Sequence, residues 1–393
     1  MKKQILFLAA FLFAACANSA LPDYPDIEEE SEDAPKINFQ IEKGEEDFLV
    51  SSVLVGVVKG YDIPFSGEVC MAKDEKIQNL TQIIESDGVG GESGSDIAVS
   101  TWDEGFFVIG RFDFGKVYFF KNKKGSSNFD LSEFEFDEEV NLQDGVFNKL
   151  SDEFIFSDLN DNHLIILKDG QMSKLKISEN KSCSPAKMKI IGDTLFVVLQ
   201  NLNENWVSES GEIAAVNLKT KNVENFKLSS KNPVGKIEYN QRVDKNNFYI
   251  ACAGSWQKRD GAVLKVNIET FEVSEILKEI DDGTLLDGDF VDLSLDDEGN
   301  FFIILSDNSD RWVNHLLKYE TKRGKIFKID SGINAFATNP IDFSTVTKKI
   351  YYFADFGSET FLKSIDGKEG KVEETKLKYG PAFVKVWLKN KVN

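Results

Sequence analysis

Histidine is scarce in this chain, with only two among 393 residues, His163 and His315. They occur in matching strings, Asn162-His163-Leu164 and Asn314-His315-Leu316, and each string leads into an expected strand. Histidines at equivalent positions of separate units cannot easily share a metal or a substrate. We therefore expect each histidine to form hydrogen bonds with the backbone of its own loop. A Ser-His-Asp or Cys-His nucleophile system needs a histidine beside the nucleophile, and the sequence does not indicate one.

Cysteine is also scarce, and glycine-rich phosphate-binding motifs are missing. Beyond Cys16 the chain has only Cys70, Cys183 and Cys252, which allow at most one disulfide and lack the paired spacing of zinc sites. Neither a GxGxxG string nor a Walker loop occurs. The sequence therefore predicts no cofactor.

One string has the alternation of a calcium loop. Asp158, Asn160 and Asn162 place oxygen-bearing side chains at every second position. However, His163 occupies the sixth position, where such a loop needs glycine, and no glutamate closes it. We therefore expect an Asn-rich hairpin loop without a metal, and calcium remains the weaker alternative.

Positive charge is in deficit. Lys and Arg total 46 against 66 Asp and Glu, which gives a net charge of −20. A chain this acidic repels phosphate backbones, so we expect no nucleic acid partner.

A long hydrophobic run is missing as well. The apolar stretch from Ile5 to Ala15 follows Lys2 and Lys3 and is too short to cross a bilayer as a helix. This layout is typical of a secretory signal peptide, which we assign to residues 1–15.

The end of this stretch, Phe13-Ala14-Ala15-Cys16, resembles the lipobox of bacterial lipoproteins, although Phe13 stands where that family usually has leucine. The resemblance implies that Cys16 becomes a lipidated N-terminus. Cleavage after Ala17 or Ala20 is the alternative and would release a soluble secreted protein.

Acidic residues and prolines dominate the segment that follows, residues 16–45. Dense like charge with proline cannot bury enough apolar surface to order the chain, so we expect a solvated tether. Together with the lipobox, this predicts a lipid-anchored protein of the bacterial cell envelope, periplasmic or surface-exposed.

The remaining chain, residues 46–393, repeats a short apolar string at intervals of 41 to 58 residues. The strings begin at Phe48, Phe106, Phe154, Leu195, Phe248, Phe301 and Ile350. Propeller blades have periods of about 40–50 residues. Each string is flanked by further short strands, and the last strand of several units alternates polar and apolar residues, as an outermost strand does.

These units predict an all-β fold, a β-propeller of seven four-stranded blades. The string PAFVKVWL near the C-terminus is a leftover strand, which we expect to pair with the first blade and close the ring. Because the first unit is irregular, six or eight blades remain alternatives.

Two units carry a more specific pattern. Gly211–Asn217 is followed by Thr220 and Val223, and Gly261–Asn267 is followed by Thr270 and Val273. This pattern resembles the YVTN-type repeat of bacterial envelope propellers, with Asn in place of the usual Asp. The resemblance covers most of residues 96–380, strongly in these two units. It implies an architecture and hardly any activity.

Three tryptophans lie in expected loops between the second and third strands of consecutive units, and arginines lie close to them. The candidate partner-binding residues are Trp206, Trp256, Arg259, Arg311, Trp312 and Arg111. Such loops emerge on one face of a propeller, and Trp and Arg are enriched at binding hot spots. The alternative is that each indole folds back over its own hairpin.

Two function classes follow. The first is a non-enzymatic envelope protein that binds or scaffolds a protein or glycan partner. The second is a propeller hydrolase, lactonase or lyase with a carboxylate site at the central channel. Carboxylates that converge on one metal at the channel mouth would favour the enzyme.

The lipobox gives the first prediction. Cys16→Ser should release the protein from the membrane fraction or leave it unprocessed, because lipid chains on that thiol and the new N-terminus provide stable anchoring. Detergent phase partition of wild type and variant measures this. A wild-type protein in the aqueous phase, with Asn18 or Leu21 as its first residue, would contradict the assignment.

Overall fold

The computed structural model describes residues 30–31, 49–58, 67–73, 76–82, 97–111, 115–122, 129–136, 140–280, 285–307, 313–333, 339–345, 347–356, 359–366, 370–377 and 380–390. The expected signal peptide, Cys16, most of the expected tether, Arg311 and Trp312 lie outside the described residues. Among the described residues, no helix has the length and hydropathy needed to cross a membrane.

The described elements are strands joined by turns. The first fourteen in chain order are β1 (Glu30–Ser31), β2 (Leu49–Val58), β3 (Gly67–Lys73), β4 (Lys76–Gln82), β5 (Ile97–Trp102), β6 (Gly105–Gly110), β7 (Lys116–Asn122), β8 (Phe129–Glu135), β9 (Leu142–Asn148), β10 (Glu153–Asp158), β11 (His163–Lys168), β12 (Gln171–Lys176), β13 (Pro185–Ile191) and β14 (Thr194–Leu199). The others are β15 (Glu212–Asn217), β16 (Val223–Lys227), β17 (Asn247–Cys252), β18 (Ala262–Asn267), β19 (Val273–Lys278), β20 (Asp289–Leu295), β21 (Phe301–Asp307), β22 (Val313–Glu320), β23 (Lys325–Ser331), β24 (Ile341–Phe343), β25 (Lys349–Phe356), β26 (Glu359–Asp366), β27 (Val372–Leu377) and β28 (Gly380–Asn390).

These strands form antiparallel sheets that follow one another along the chain. From the inner strand outward, the sheets are β28-β2-β3-β4, β5-β6-β7-β8, β9-β10-β11-β12, β13-β14-β15-β16, β17-β18-β19, β20-β21-β22-β23-β1 and β24-β25-β26-β27. We number them first to seventh in this order. Inner strands of neighbouring sheets contact one another, as β5 does β9 and β20 does β24. The all-β propeller is therefore confirmed.

The number of complete blades differs from the prediction. Six of the described sheets have four or more strands, whereas the fifth has three, so the structure has six four-stranded blades rather than seven. The chain at the inner position of the fifth sheet makes only isolated bridges, Pro233 to Cys252 and Glu238 to Tyr249. Because these bridges do not extend into a continuous ladder, the segment does not form a fourth strand.

The ring closes through the C-terminal strand. β28 pairs with β2 from Leu49 opposite Asn390 to Val58 opposite Gly380. β28 also contacts β5 and β24 of the two neighbouring sheets. The predicted pairing of the C-terminal string with the first sheet is confirmed, and it gives that sheet its inner strand.

Apolar residues fill the space between sheets. Every residue of β6 is buried, including Phe106 and Phe107. The Phe107 ring packs edge-on against Phe156 of the third sheet, with centroids 5.7 Å apart. Gly145 of β9 lies under both rings, and a Cβ there would come within 2.6 Å of Phe107. The second and third sheets can approach this closely only because position 145 lacks a side chain.

The repeat pattern has a structural basis in its turns. Asn217 Oδ1 accepts hydrogen bonds from the backbone N–H groups of Lys219 and Thr220, at 3.0 and 2.9 Å. Asn267 makes the same two bonds in the next sheet, both at 2.9 Å. The asparagine side chain therefore closes the same turn in both units.

Ring closure gives the second prediction. Ending the chain at Tyr379 removes β28, exposes the edge of β2 and leaves the first sheet without an inner strand. We expect the thermal midpoint to fall by about 10 °C or more, or the cooperative transition to disappear. Circular dichroism melting measures this, and a chain that ends at Asn390 is the matched control. Equal melting of the two chains would contradict the closure.

Candidate binding face

One side of the ring carries the loops between second and third strands together with the connections between sheets, because the strands alternate in direction. We call this side the loop face. Its loops and connections are joined by backbone hydrogen bonds, from Asn201 N to the Cys183 carbonyl at 2.9 Å and from Leu228 N to the Gly211 carbonyl at 2.9 Å. The loops are therefore held in place by neighbouring chain.

The loop of Trp206 joins β14 to β15 and is fixed internally. Asn203 Oδ1 accepts the backbone N–H groups of Asn205 and Val207, at 2.9 and 3.1 Å. Trp206 N donates to the Asn203 carbonyl at 2.9 Å, and the residue has a φ of 61°, which is uncommon for a side chain of this size. This turn leaves Trp206 47% exposed.

The loop of Trp256 joins β17 to β18 and is held from two sides. Asp260 accepts the Ser255 hydroxyl at 2.9 Å within the loop. Gln257 N donates to the carboxylate of Asp289 in the sixth sheet, at 3.1 and 3.2 Å. Trp256 stays 43% exposed, so neither Trp206 nor Trp256 is buried in its own hairpin.

The two tryptophan loops share one connection, residues 228–233. Asn232 N donates to Ser208 Oγ in the first loop at 2.9 Å. Ser230 Oγ donates to the Asp260 carbonyl in the second loop at 3.3 Å. The structure therefore brings Trp206 and Trp256 onto adjacent parts of the loop face.

Arg259 lies beside Trp256 in sequence but is mostly buried. Its Nε donates to Asp287 at 2.5 Å, and Nη1 lies 3.4 Å from Asp289. The guanidinium thus ties the fifth-sheet loop to the connection before the sixth sheet. In the free protein Arg259 fixes the loop that presents Trp256.

Arg111 follows β6 and lies at the second sheet, apart from the tryptophan loops. Its Nη2 donates to Gln143 Oε1 at 2.5 Å, and Gln143 Nε2 donates to Asn141 Oδ1 at 2.6 Å. The backbone of Asn141 donates in turn to Asp158, as does that of Asn160, each at 3.0 Å. A hydrogen-bonded chain therefore leads from Arg111 to the loop of the third sheet.

A pocket of about 290 Å³ opens between the loops of the third and fourth sheets. Its lining residues are Leu159, Asn160, Lys181, Ser182, Ser184, Leu202, Asn203, Glu204 and Trp206. Of these, the sequence singles out Trp206 as a binding residue and Asn160 only as part of the calcium-like string. The rest come from three separated segments without a shared motif, so sequence reasoning could not assemble them.

A charged network lies where the inner segments face the axis of the ring. Lys236 Nζ lies 3.3 Å from Asp292 Oδ2 and donates to the Ile341 carbonyl at 2.6 Å, joining three sheets. Burial disfavours the charged lysine, but Asp292 and Glu238 outweigh it and raise the Lys236 pKa. Burial raises the pKa of Glu238, because it disfavours the charged carboxylate. Asp292 also accepts two backbone N–H groups. These carboxylates are largely occupied by the protein itself.

Both histidines and the Asn162 amide are held by local hydrogen bonds. His163 Nδ1 lies 2.9 Å from Asp161, and His315 Nδ1 lies 3.0 Å from Ser331, in the third and sixth sheets. Asn162 Nδ2 donates to the Ser178 carbonyl at 2.7 Å. Within the described ranges, no group of three or more His, Cys, Asp or Glu side chains is arranged to hold a metal.

Two buried carboxyl groups adjoin the loop of Trp256. The Glu279 carboxylate accepts the backbone N–H groups of Gly261 and Phe290, both at 2.8 Å. Burial raises the pKa of Glu279 to about 8, although the hydrogen bonds from these two N–H groups lower it. Burial raises the pKa of Asp289 to about 6, although Gln257 and Arg259 oppose the shift.

Comparison with known proteins agrees on the fold. A Bacteroides fragilis protein assigned provisionally as a 6-phosphogluconolactonase superimposes with a TM-score of 0.56 at 12% identity, over 88% of this chain and 100% of that chain. A streptogramin B lyase gives 0.51 at 12%, over 83% and 94%. Virginiamycin B lyase from Staphylococcus aureus gives 0.50 at 10%, over 74% and 90%.

Neither a protein-family model nor a curated protein matches the chain. At identities as low as those of the solved structures, the similarity shows the β-propeller fold alone.

The buried carboxyl groups give the third prediction. Native Glu279 keeps its proton up to about pH 8, whereas the unfolded chain releases it near the ordinary value of 4.5. The native state therefore binds more protons in this window, and the free energy of unfolding falls as pH rises from about 4.5 to 8. The thermal midpoint of wild type minus that of Glu279→Gln should fall over this range.

Melting scans at several pH values measure this difference. Glu272→Gln, which changes an exposed glutamate in the turn before β19, is the matched control. A difference between wild type and Glu279→Gln that stays constant with pH would contradict the assigned shift.

Proposed function

We propose that this β-propeller is a non-enzymatic binding protein of the bacterial cell envelope, anchored through lipidated Cys16, and that its loop face binds a protein or glycan partner. One observation carries the proposal: Trp206 and Trp256 lie about half exposed on adjacent loops that hydrogen bonds hold in place.

Rigid presentation of an exposed indole favours binding. Tryptophan is enriched at hot spots because it buries a large apolar surface on contact. A loop that is already ordered loses little conformational entropy when a partner arrives. The bonds of Asn203 and Asp260 order these loops before binding. Arg311 and Trp312 fall in the sequence between β21 and β22, and we propose that they extend the surface.

We also propose that the chain is a YVTN-type repeat protein in lipoprotein form. The Asn217 and Asn267 turns are what a YVTN-type repeat with Asn in place of Asp would need. A lipobox at Cys16, followed by an acidic tether, fits a propeller displayed away from the membrane surface.

The enzyme alternative has less support from the geometry. It requires carboxylates that are open to a substrate at the central channel. Asp292 is instead held by Lys236 and two backbone N–H groups. Asp144 is held by the N–H groups of Gly145 and Met188, at 2.9 and 2.8 Å. The lyase and lactonase activities belong to the proteins that carry those names, and a shared fold does not transfer them to this chain.

The exposed indoles give the fourth prediction. Trp206→Ala and Trp256→Ala should each shift the thermal midpoint by no more than about 2 °C, because a half-exposed side chain contributes little packing. Each should weaken partner binding by about 2 kcal/mol or more. Retention of partners from envelope extract on the immobilised mature protein measures the binding.

Leu150→Ala is the matched control, because Leu150 is 60% exposed in the turn between β9 and β10, on the opposite side of the ring. Drops of several degrees in both tryptophan variants would show that the indoles serve the fold. Undiminished retention of every partner would show that the loop face is not the binding surface.

A further inference from the structure

The pocket beside Trp206 has one aromatic wall and polar groups around it. Trp206, Leu159 and Leu202 supply the apolar surface. The polar lining comes from the third-sheet loop through Asn160, from the following connection through Lys181 and Ser182, and from the fourth-sheet loop through Glu204. The pocket therefore forms only where two neighbouring sheets meet on the loop face.

Its polar side chains are not used by the fold. In the described part of the chain, the side chains of Asn160, Lys181, Ser182 and Glu204 make no hydrogen bond or ion pair, and all four residues are exposed. Asn203, by contrast, is committed to the turn that orients Trp206. The site thus combines a fixed ring with an amide, an ammonium, a hydroxyl and a carboxylate available for a ligand.

These groups match the surface of a sugar. A pyranose has a face of C–H bonds that packs on an aromatic ring, and a rim of hydroxyls that both donate and accept hydrogen bonds. Asn160 and Ser182 can do both, Glu204 accepts, and Lys181 donates. Lys181 and Glu204 balance in charge, which favours a neutral ligand over phosphate or another anion.

The size agrees with a small ligand. Since a water takes about 30 Å³ of liquid, a pocket of about 290 Å³ corresponds to roughly ten waters, which is room for one or two sugar rings. A protein partner would instead need a broad contact of about 800 Å² on each side.

We propose that this pocket is a saccharide-binding site, in which the Trp206 indole stacks on a sugar ring and Asn160, Lys181, Ser182 and Glu204 bind its hydroxyls. The inference rests on the proposed binding function of the loop face and identifies its partner as a glycan.

The test uses the mature protein and a panel of neutral and acidic mono- and oligosaccharides, followed by tryptophan fluorescence and calorimetric titration. At least one saccharide should bind. Trp206→Ala should weaken it at least tenfold, Trp206→Phe should restore much of the affinity, and Asn160→Ala and Glu204→Gln should each weaken it about three- to tenfold. Leu150→Ala, on the opposite side of the ring, should leave it unchanged, which makes it the matched control.

Two outcomes would overturn the saccharide site: no member of the panel binds at millimolar concentration, or a saccharide binds and Trp206→Ala has no effect. If partners from envelope extract still depend on Trp206, the proposed function stands and only the glycan assignment fails. If they do not, both fail.

Discussion

The pairing of β28 with β2 is the interaction on which the rest of the structure depends. It joins the two ends of the propeller, supplies the first sheet with its inner strand and places that strand against both neighbouring sheets. Each sheet buries its two faces against its neighbours, so an open ring would leave two apolar faces in water. The loop face exists as one surface only while the ring is closed.

The sheets pack closely along their length, and space for a ligand opens at the loops that join their strands. Gly145 allows the second and third sheets to approach under two phenylalanine rings, and there is no room for a ligand at such a point. At the loop face the loops carry polar groups that the core could not accept. The pocket beside Trp206 lies between the loops of the third and fourth sheets.

The ionisable groups divide into those that hold the scaffold and those left for contact. Lys236 joins three inner segments and Arg259 joins the fifth and sixth sheets, and both are mostly buried and ion-paired. Glu279 is buried and accepts two backbone N–H groups. Lys181 and Glu204, at the pocket, are exposed, and this contrast separates structural charge from charge that a partner can reach.

Local pattern determined the strand order, the turns at Asn217 and Asn267, the closing strand and the loops that carry Trp206 and Trp256, because these depend on short-range hydrophobic alternation and turn chemistry. The incomplete fifth sheet was not predicted, because Pro233 opens its inner segment just as Pro185 opens β13, which does pair, and the local sequence does not reveal that the ladder is lost. Only the tertiary structure decided that Arg259 is paired and that a pocket exists beside Trp206. Both depend on segments that are distant in sequence and meet when neighbouring sheets stack.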